Sequence, residues 1–243
     1  MESKSRFFGH VWLAITFFFL NCSGNSLGLS EIPALENDPL IESYKGKGIR
    51  MQLSYNELSP NLRDTLLFDL KGRIEIASDN FSTKEYKYDS IGNLTRMMLN
   101  HDTPSNYYLE YYKEGNSVIQ NWNWIKHMRW EFTTEDLDSA DRVIKFLFDD
   151  NGKIQEETNL NNGAVTKYKY ENEKIIAKQA FDKGADVPKQ RWNFEYSKNG
   201  TLIKAKYFSR EELIVEDFLG DDGLLDSTRR NNYTLKYEYE FYK

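Results

Sequence analysis

The sequence predicts an all-β fold, an antiparallel β-meander of repeated hairpins forming a strongly curled or barrel-like sheet. One observation is a motif that recurs along the 243 residues, in which an aromatic residue precedes a polar turn, a glycine and then leucine or isoleucine. The other is a strict alternation of aromatic and charged residues between the copies. A period of two is typical of strands with one buried and one solvated side.

Each copy of the motif has the composition of a chain reversal, because Asp and Asn bond their own backbone and glycine takes positive φ without steric cost. Steps of 20, 23, 37, 22, 26 and 23 residues separate the glycine-equivalent positions, of which one holds Lys174. Such a step contains two strands and two turns, and the step of 37 is expected to contain a lengthened hairpin. The clear copies are 68–74, 88–94, 148–154 and 196–202, and the looser ones are 111–118, 170–176 and 219–225.

The number of strands predicts the curvature of the sheet. Repeats of this size mean one hairpin-based unit stacked many times. Roughly a dozen strands from one meander cannot stay flat, because sheets twist and curl or close beyond about ten strands. The buried face is therefore covered by the sheet itself, and no alternation of strands and helices suggests a parallel sheet.

The predicted β-repeat domain covers residues 46–243. A first strand is expected over 49–53. Ser59 followed by Pro60 has the pattern of a helix N-cap with proline at the first helical position, which predicts a short helix through Leu67.

The first 21 residues predict a targeting segment. Lys4 and Arg6 form a basic start, and Val11 to Leu20 is apolar apart from Thr16. Ten residues are too few to cross roughly 30 Å of hydrocarbon as a helix, but they suit the apolar region of a signal peptide. Residues 22–45 are expected to form a lipidated N-terminus and a flexible tether.

The apolar run is followed by Asn21 and then by Cys22, the only cysteine in the chain. This end of the segment resembles a bacterial lipoprotein signal, although Phe19 and Asn21 replace the usual Leu and Gly or Ala. The resemblance implies that Cys22 carries diacylglycerol and an amide-linked acyl chain such as palmitate, and that Ser23 directs the protein to the outer membrane. The alternative is an incidental cysteine beside an ordinary cleavage site.

The glycine motif resembles the YD repeat of Rhs-type proteins and is similar to the MORN-variant repeats of small bacterial proteins. The resemblance covers residues 68–230 and rests on three or four positions in each unit, most completely at 88–94. Rhs-type proteins wind such repeats into a large β shell around cargo, for which this chain has too few units. The resemblance implies antiparallel β architecture and a binding or structural role without catalytic residues.

Charge and motifs argue against several functional classes. The net charge of −6, or −7 without the leader, is wrong for a nucleic-acid partner. Only His101 and His127 lie beyond the leader, so neither a metal site nor a cofactor is expected. The acidic runs 149–152 and 221–223 lack the first acid of a calcium loop, which favours turns. The fingerprints of hydrolases, kinases and dinucleotide enzymes are absent, so an enzyme is the least supported class.

The densest aromatic cluster is Trp122, Trp124 and Trp130. Alternation over 122–132 places all three on one face of a strand. They are candidate binding residues, since tryptophan often anchors a sugar or a peptide, but the same pattern is expected of a buried sheet face.

The sequence therefore predicts a bacterial envelope lipoprotein, anchored in the membrane through its N-terminal lipid, with a non-catalytic binding or structural domain. Its ligand would be a protein or a lipid. One alternative is a lipid- or lipoprotein-handling carrier that holds an apolar ligand against the aromatic face. Another is an outer-membrane barrel, which the dense Lys and Glu of one face disfavours.

Overall fold

The computed structural model describes residues 38–56, 58–79, 81–100, 104–131 and 133–243. Within them the chain forms sixteen strands, the helix α1 (Pro39–Tyr44) and one 3-10 turn (Thr134–Asp136). The strands are β1 Ile49–Asn56, β2 Ser59–Phe68, β3 Ile74–Ser78, β4 Thr83–Tyr88, β5 Leu94–Asn100, β6 Ser105–Glu114, β7 Ser117–Ile125, β8 Leu137–Phe148, β9 Ile154–Asn159, β10 Val165–Glu171, β11 Lys174–Phe181, β12 Gln190–Tyr196, β13 Leu202–Ser209, β14 Glu212–Leu219, β15 Leu225–Arg230 and β16 Tyr233–Phe241.

The sheet is a closed barrel. Each strand pairs antiparallel with its sequence neighbours, and β16 pairs with β1, so that Tyr239 lies opposite Gln52. The predicted antiparallel meander is confirmed, and the predicted curling proceeds to full closure. No helix in the described part of the chain is long and apolar enough to cross a membrane.

The prediction of a helix from Ser59 through Leu67 is wrong, because these residues belong to β2. Leu67 pairs with Met51 on one side and with Ile76 on the other, and these two ladders override the local helix-start signal. Pro60 is tolerated because it lies at the beginning of the strand, where a missing N–H costs little. The first strand was expected over 49–53 and extends to Asn56.

Five of the glycine motifs fold into the same turn. In each, the first residue donates its N–H to the carbonyl four residues later, and the glycine donates back to the first residue's carbonyl, as in Asp149 to Lys153 at 2.9 Å and Gly152 to Asp149 at 3.0 Å. Gly152 has φ +77, the left-handed region that glycine adopts without strain. The other four turns begin at Asp69, Asp89, Ser197 and Gly220.

The copy that lacks its glycine uses a different turn. Asn172 and Glu173 both have positive φ, 47° and 69°, and connect β10 directly to β11 as a two-residue hairpin. Lys174 is therefore the first residue of a strand rather than a replacement for the glycine. All seven turns lie at the same end of the barrel, which we call the glycine end; the opposite end, formed by the other connections, we call the mouth.

Tyrosine hydroxyls join successive repeat units. The tyrosine before a turn donates to the backbone carbonyl of the aliphatic residue that follows the preceding turn, for example Tyr88 to Ile74 at 2.8 Å. The ladder with the following strand ends before these aliphatic residues, at Ile76 opposite Glu85 and at Ala177 opposite Asn193, which leaves their carbonyls outside regular pairing on that side. The hydroxyl thus satisfies a carbonyl that the strands leave free. The same bond links Tyr111 to Leu94, Tyr170 to Ile154, Tyr196 to Ile175 and Tyr239 to Leu225.

The helix α1 lies across the glycine end. Asp38 caps it by accepting the Leu40 N–H at 2.9 Å, and Pro39 occupies its first turn. Tyr44 is 1% exposed and packs edge-on against Phe68, with ring centroids 5.5 Å apart. Residues 38–45 therefore belong to the folded core, which differs from the flexible tether expected over 22–45; residues 1–37, with the expected leader and Cys22, lie outside the described residues.

Candidate functional site

The interior of the barrel is identified by its core. Three clusters of buried residues lie on one side of the sheet. Phe148 packs against the cluster around Leu109 and against the cluster around Phe146, and Tyr168 packs against the Phe146 cluster and against the third, largest cluster. The largest cluster also contains Tyr44 of α1. We call this side the inner wall and the opposite side the outer wall.

Two of the three candidate tryptophans lie together on the inner wall, towards the mouth. Trp122 pairs with Leu109 of the core and Trp124 pairs with Tyr107, which places both indoles inside the barrel. The ring of Trp122 stands edge-on to that of Tyr107 at 5.8 Å, and its Nε1 donates to Gln120 Oε1 at 2.9 Å. Trp124 is 38% exposed, so the aromatic wall is partly open to a ligand.

Trp130 does not belong to this wall. The prediction that all three tryptophans share one face of a strand is therefore wrong. β7 ends at Ile125, and residues 126–136 leave the sheet before β8 begins. The Trp130 ring lies beside the Lys87 ammonium at 4.0 Å and the Arg96 guanidinium at 5.4 Å. Arg96 pairs with Tyr108, the residue next to Leu109, so Trp130 covers the outer wall.

Buried polar groups on the outer wall cause this departure. Arg96, which is 6% exposed, donates to the carbonyls of Trp130 at 2.8 Å and Arg129 at 3.0 Å. Asn106 is fully buried and donates to the carbonyls of His127 and Arg129. These bonds hold the segment 126–136 against the outer wall, and this long connection accounts for the step of 37 residues between glycines.

A cluster of ionisable and hydroxyl groups occupies another part of the inner wall. Thr228 donates to the Asp217 carboxylate and lies 2.7 Å from the Tyr237 hydroxyl. Burial raises the pKa of Asp217, against the opposing effects of Thr228 and Arg230. Burial likewise raises the pKa of Asp64. The sequence did not single out this cluster, because its members come from four strands and each alternates with outward residues in an ordinary way.

A lysine inside the barrel helps to position α1. Lys178 lies 3.6 Å from the carboxylate of Asp38 at the start of the helix. Its ammonium is also within 6 Å of the rings of Tyr168 and Phe194, at 5.5 and 5.9 Å. A cation surrounded by ring faces and a carboxylate is well stabilised in a partly buried site.

Grooves flank α1 at the glycine end. One of about 220 Å³ is lined by Ile41, Ile74 and Ile91 and by the cations Lys45, Lys71 and Arg73. These cations already have partners in the fold: Lys45 contacts Glu42, Arg73 contacts Asp69, and Lys71 donates to the Ser90 carbonyl. In the described part of the chain, no group of three or more His, Cys, Asp or Glu is placed to hold a metal ion.

Comparison with known proteins identifies no family for this chain, because no family model and no curated protein matches it. Among solved structures, the chain is similar to part of the Tc holotoxin pore of Photorhabdus luminescens, with 14% identity and a TM-score of 0.23. That match covers 71% of this chain and 11% of the toxin chain.

Proposed function

We propose that the protein is a bacterial envelope lipoprotein, anchored through Cys22 and sorted to the outer membrane, whose barrel binds a ligand without catalysis. The observation that carries the binding role is the asymmetry of the interior. α1 and the largest core cluster fill the glycine end, whereas Trp124 on the mouth half of the inner wall is 38% exposed. An aromatic surface that is partly exposed on the inner wall of a closed barrel has the chemistry of a binding site.

The anchor is supported by the sequence of the leader. A basic start, a ten-residue apolar run and a single cysteine two residues after its end suit a lipoprotein signal. Two or more acyl chains give stable anchoring, at about 0.8 kcal/mol for each buried methylene. Because α1 begins at Pro39, a tether from Cys22 would join the barrel at the glycine end.

A relationship to YD repeats is part of the proposal. The five identical turns and the tyrosine bonds between units give a physical role to the aromatic residue and to the glycine of the motif. In this barrel the units surround a small aromatic interior, which suits the binding of a ligand rather than the enclosure of a large cargo.

A carrier of apolar ligands is the second candidate. It is favoured by the edge-on pair of Trp122 and Tyr107, whose rings offer apolar faces and edges to the interior. The Arg142 guanidinium, 5.5 Å from the Trp122 ring, adds a positive charge to this wall. Such a wall suits an acyl chain that carries an anionic head group.

The anchor is tested by growing a bacterial host that expresses the full chain with an alkyne-tagged fatty acid. The wild-type protein is expected to carry the tag and to fractionate with the outer membrane. Cys22→Ser should lose both properties. An untagged wild-type protein would refute the anchor without affecting the binding proposal.

The binding role is tested by native mass spectrometry of residues 22–243 with Cys22→Ser, purified from the host without detergent. This chain keeps every contact of the described residues. A bound adduct is expected, and Trp124→Ala should lower its occupancy, whereas Trp130→Ala on the outer wall should not. An acyl-sized adduct supports the carrier, another mass supports a different ligand, and a bare protein mass contradicts both.

A further inference from the structure

Large apolar side chains project from four connections at the mouth. Leu58 is 78% exposed, Phe81 83%, Leu160 50% and Val187 68%. Each lies between two strands, in the connections β1–β2, β3–β4, β9–β10 and β11–β12 respectively. We propose that the mouth docks on the surface of a lipid bilayer by inserting these four residues, which we call the tips.

The tips form two pairs on opposite sides of the mouth. The connection that holds Leu58 is eight strands away from the one that holds Leu160, and the same separation relates Phe81 and Val187. In a ring of sixteen strands, eight strands are half of the circumference. Simultaneous insertion of both pairs would therefore set the mouth flat against the bilayer, with the aromatic inner wall facing it.

The distribution of the apolar area favours a bilayer over a second copy of the chain. The four side chains expose on the order of 500 Å² in all, divided among separate projections, whereas a stable protein interface needs about 800 Å² from each partner. Two mouths placed together would also set projection against projection. A fluid surface accepts separate projections without matching pockets.

The charges near the tips indicate a zwitterionic rather than an anionic surface. The four connections contain four acidic residues and two lysines, a net charge of −2. Attraction to anionic headgroups therefore contributes nothing, and the binding energy must come from apolar insertion. The charged residues are Glu57, Asp79, Asp182, Asp186, Lys183 and Lys189.

The proposed anchor permits this contact, although the docking does not depend on it. Fifteen residues lie between Cys22 and Asp38, which makes sixteen residue-to-residue steps. They span at most about 55 Å when extended. The longest strand has 12 residues. It spans about 40 Å even without tilt. A barrel tethered at its glycine end could thus turn its mouth towards the same membrane.

The test uses residues 22–243 with Cys22→Ser, which contain no cysteine and no acyl anchor. A polarity-sensitive fluorophore is attached at Phe81→Cys or at Leu70→Cys, and phosphatidylcholine vesicles are added. Leu70 is the matched control, because it is 82% exposed but lies in a turn at the glycine end. The emission of the probe at position 81 should shift to the blue, and that at position 70 should not.

Unlabelled variants measure the contribution of the tips. Phe81→Ser with Val187→Ser should lower the vesicle partition coefficient about 100-fold, roughly tenfold for each tip, and 0.5 M salt should not weaken wild-type binding. Leu70→Ser should change neither the vesicle partition coefficient nor its insensitivity to salt. Unchanged thermal unfolding would show that the variants fold.

Three results would overturn the proposal: no binding of wild type at millimolar lipid, equal losses from the tip and Leu70 variants, or a wild-type dimer that the tip substitutions dissociate without any vesicle binding. The last result would make a second copy the partner. None of these results bears on acylation of Cys22, which is tested separately.

Discussion

The two ends of the barrel differ in what their connections do. At the glycine end the connections contain either five or two residues, and the five-residue turns repeat the same backbone bonds. At the mouth the connections range from two to eleven residues. The repeat of the sequence is thus a repeat of one end of the structure.

The first turn of the glycine end touches α1, whereas the copy of the same turn at Gly152 does not. A Cβ on Gly72 would lie 3.2 Å from the Tyr44 carbonyl oxygen and from the Lys45 Cα, but a Cβ on Gly152 would have nothing within 4 Å. The tips at the mouth contact solvent instead. The comparison teaches that the glycine end provides stability, whereas the mouth is free to carry binding groups.

The largest effect on stability is expected where α1 meets the core. Tyr44→Ala should lower the free energy of unfolding by about 3–5 kcal/mol, because it leaves a cavity among fully buried side chains. Phe81→Ala at the mouth removes an aromatic side chain of similar size at 83% exposure and should cost less than about 0.5 kcal/mol. Urea unfolding of both variants measures the difference. Similar losses of unfolding free energy would contradict the view that the glycine end provides stability and the mouth does not.

The turns themselves provide the second test. Gly72→Ala should cost about 2–3 kcal/mol, from an unfavourable φ and from collision with α1. Gly152→Ala has the same unfavourable φ but open space within 4 Å of the new Cβ, and should cost about 1 kcal/mol. Equal losses in urea unfolding would show that the helix does not press on the first turn.

The sequence predicted the features that local chemistry decides. Asp149 to Gly152 folds into a turn because its side chains and its glycine determine the backbone there, and the alternation predicted the strands. The sequence could not predict β2, because pairing with β1 and β3 overrides the local helix signal at Ser59. Nor could it place Trp130, because Arg96 and Asn106, which bind its segment, lie far away in the sequence.

The tyrosine bonds between repeats give a smaller effect. Tyr88→Phe should lower the free energy of unfolding by about 1 kcal/mol, because it leaves the Ile74 carbonyl without its donor. Tyr112→Phe removes a hydroxyl that bonds the exposed carboxylate of Glu110, and should cost almost nothing. Hydrogen exchange near Ile74 should also rise in the first variant alone, and unchanged exchange there would count against a role in joining the units.

The smallest effects are expected from two aspartates, one on the inner wall and one at the mouth, and they have opposite signs. Burial raises the pKa of Asp217 above its ordinary 3.8, so the folded protein holds this proton more tightly than the unfolded chain. Its contribution to stability is full below pH 3.8 and is lost as the pH rises through the raised value. Asp217→Asn should remove this loss, so its stability relative to wild type should increase as the pH rises from about 3.5 through the raised pKa of Asp217.

Asp79 supplies the matched control. Backbone N–H groups of Phe81 and Ser82 lower its pKa, so its contribution is present above 3.8 and is lost as the pH falls through the lowered value. Asp79→Asn should therefore be less stable than wild type near neutrality, with a difference that shrinks on acidification. Unfolding midpoints of the three proteins across this range test both signs. Parallel curves of stability against pH would mean that Asp217 on the inner wall is as solvated as Asp79 in its exposed turn. That result would contradict the proposed difference between the inner wall and the mouth.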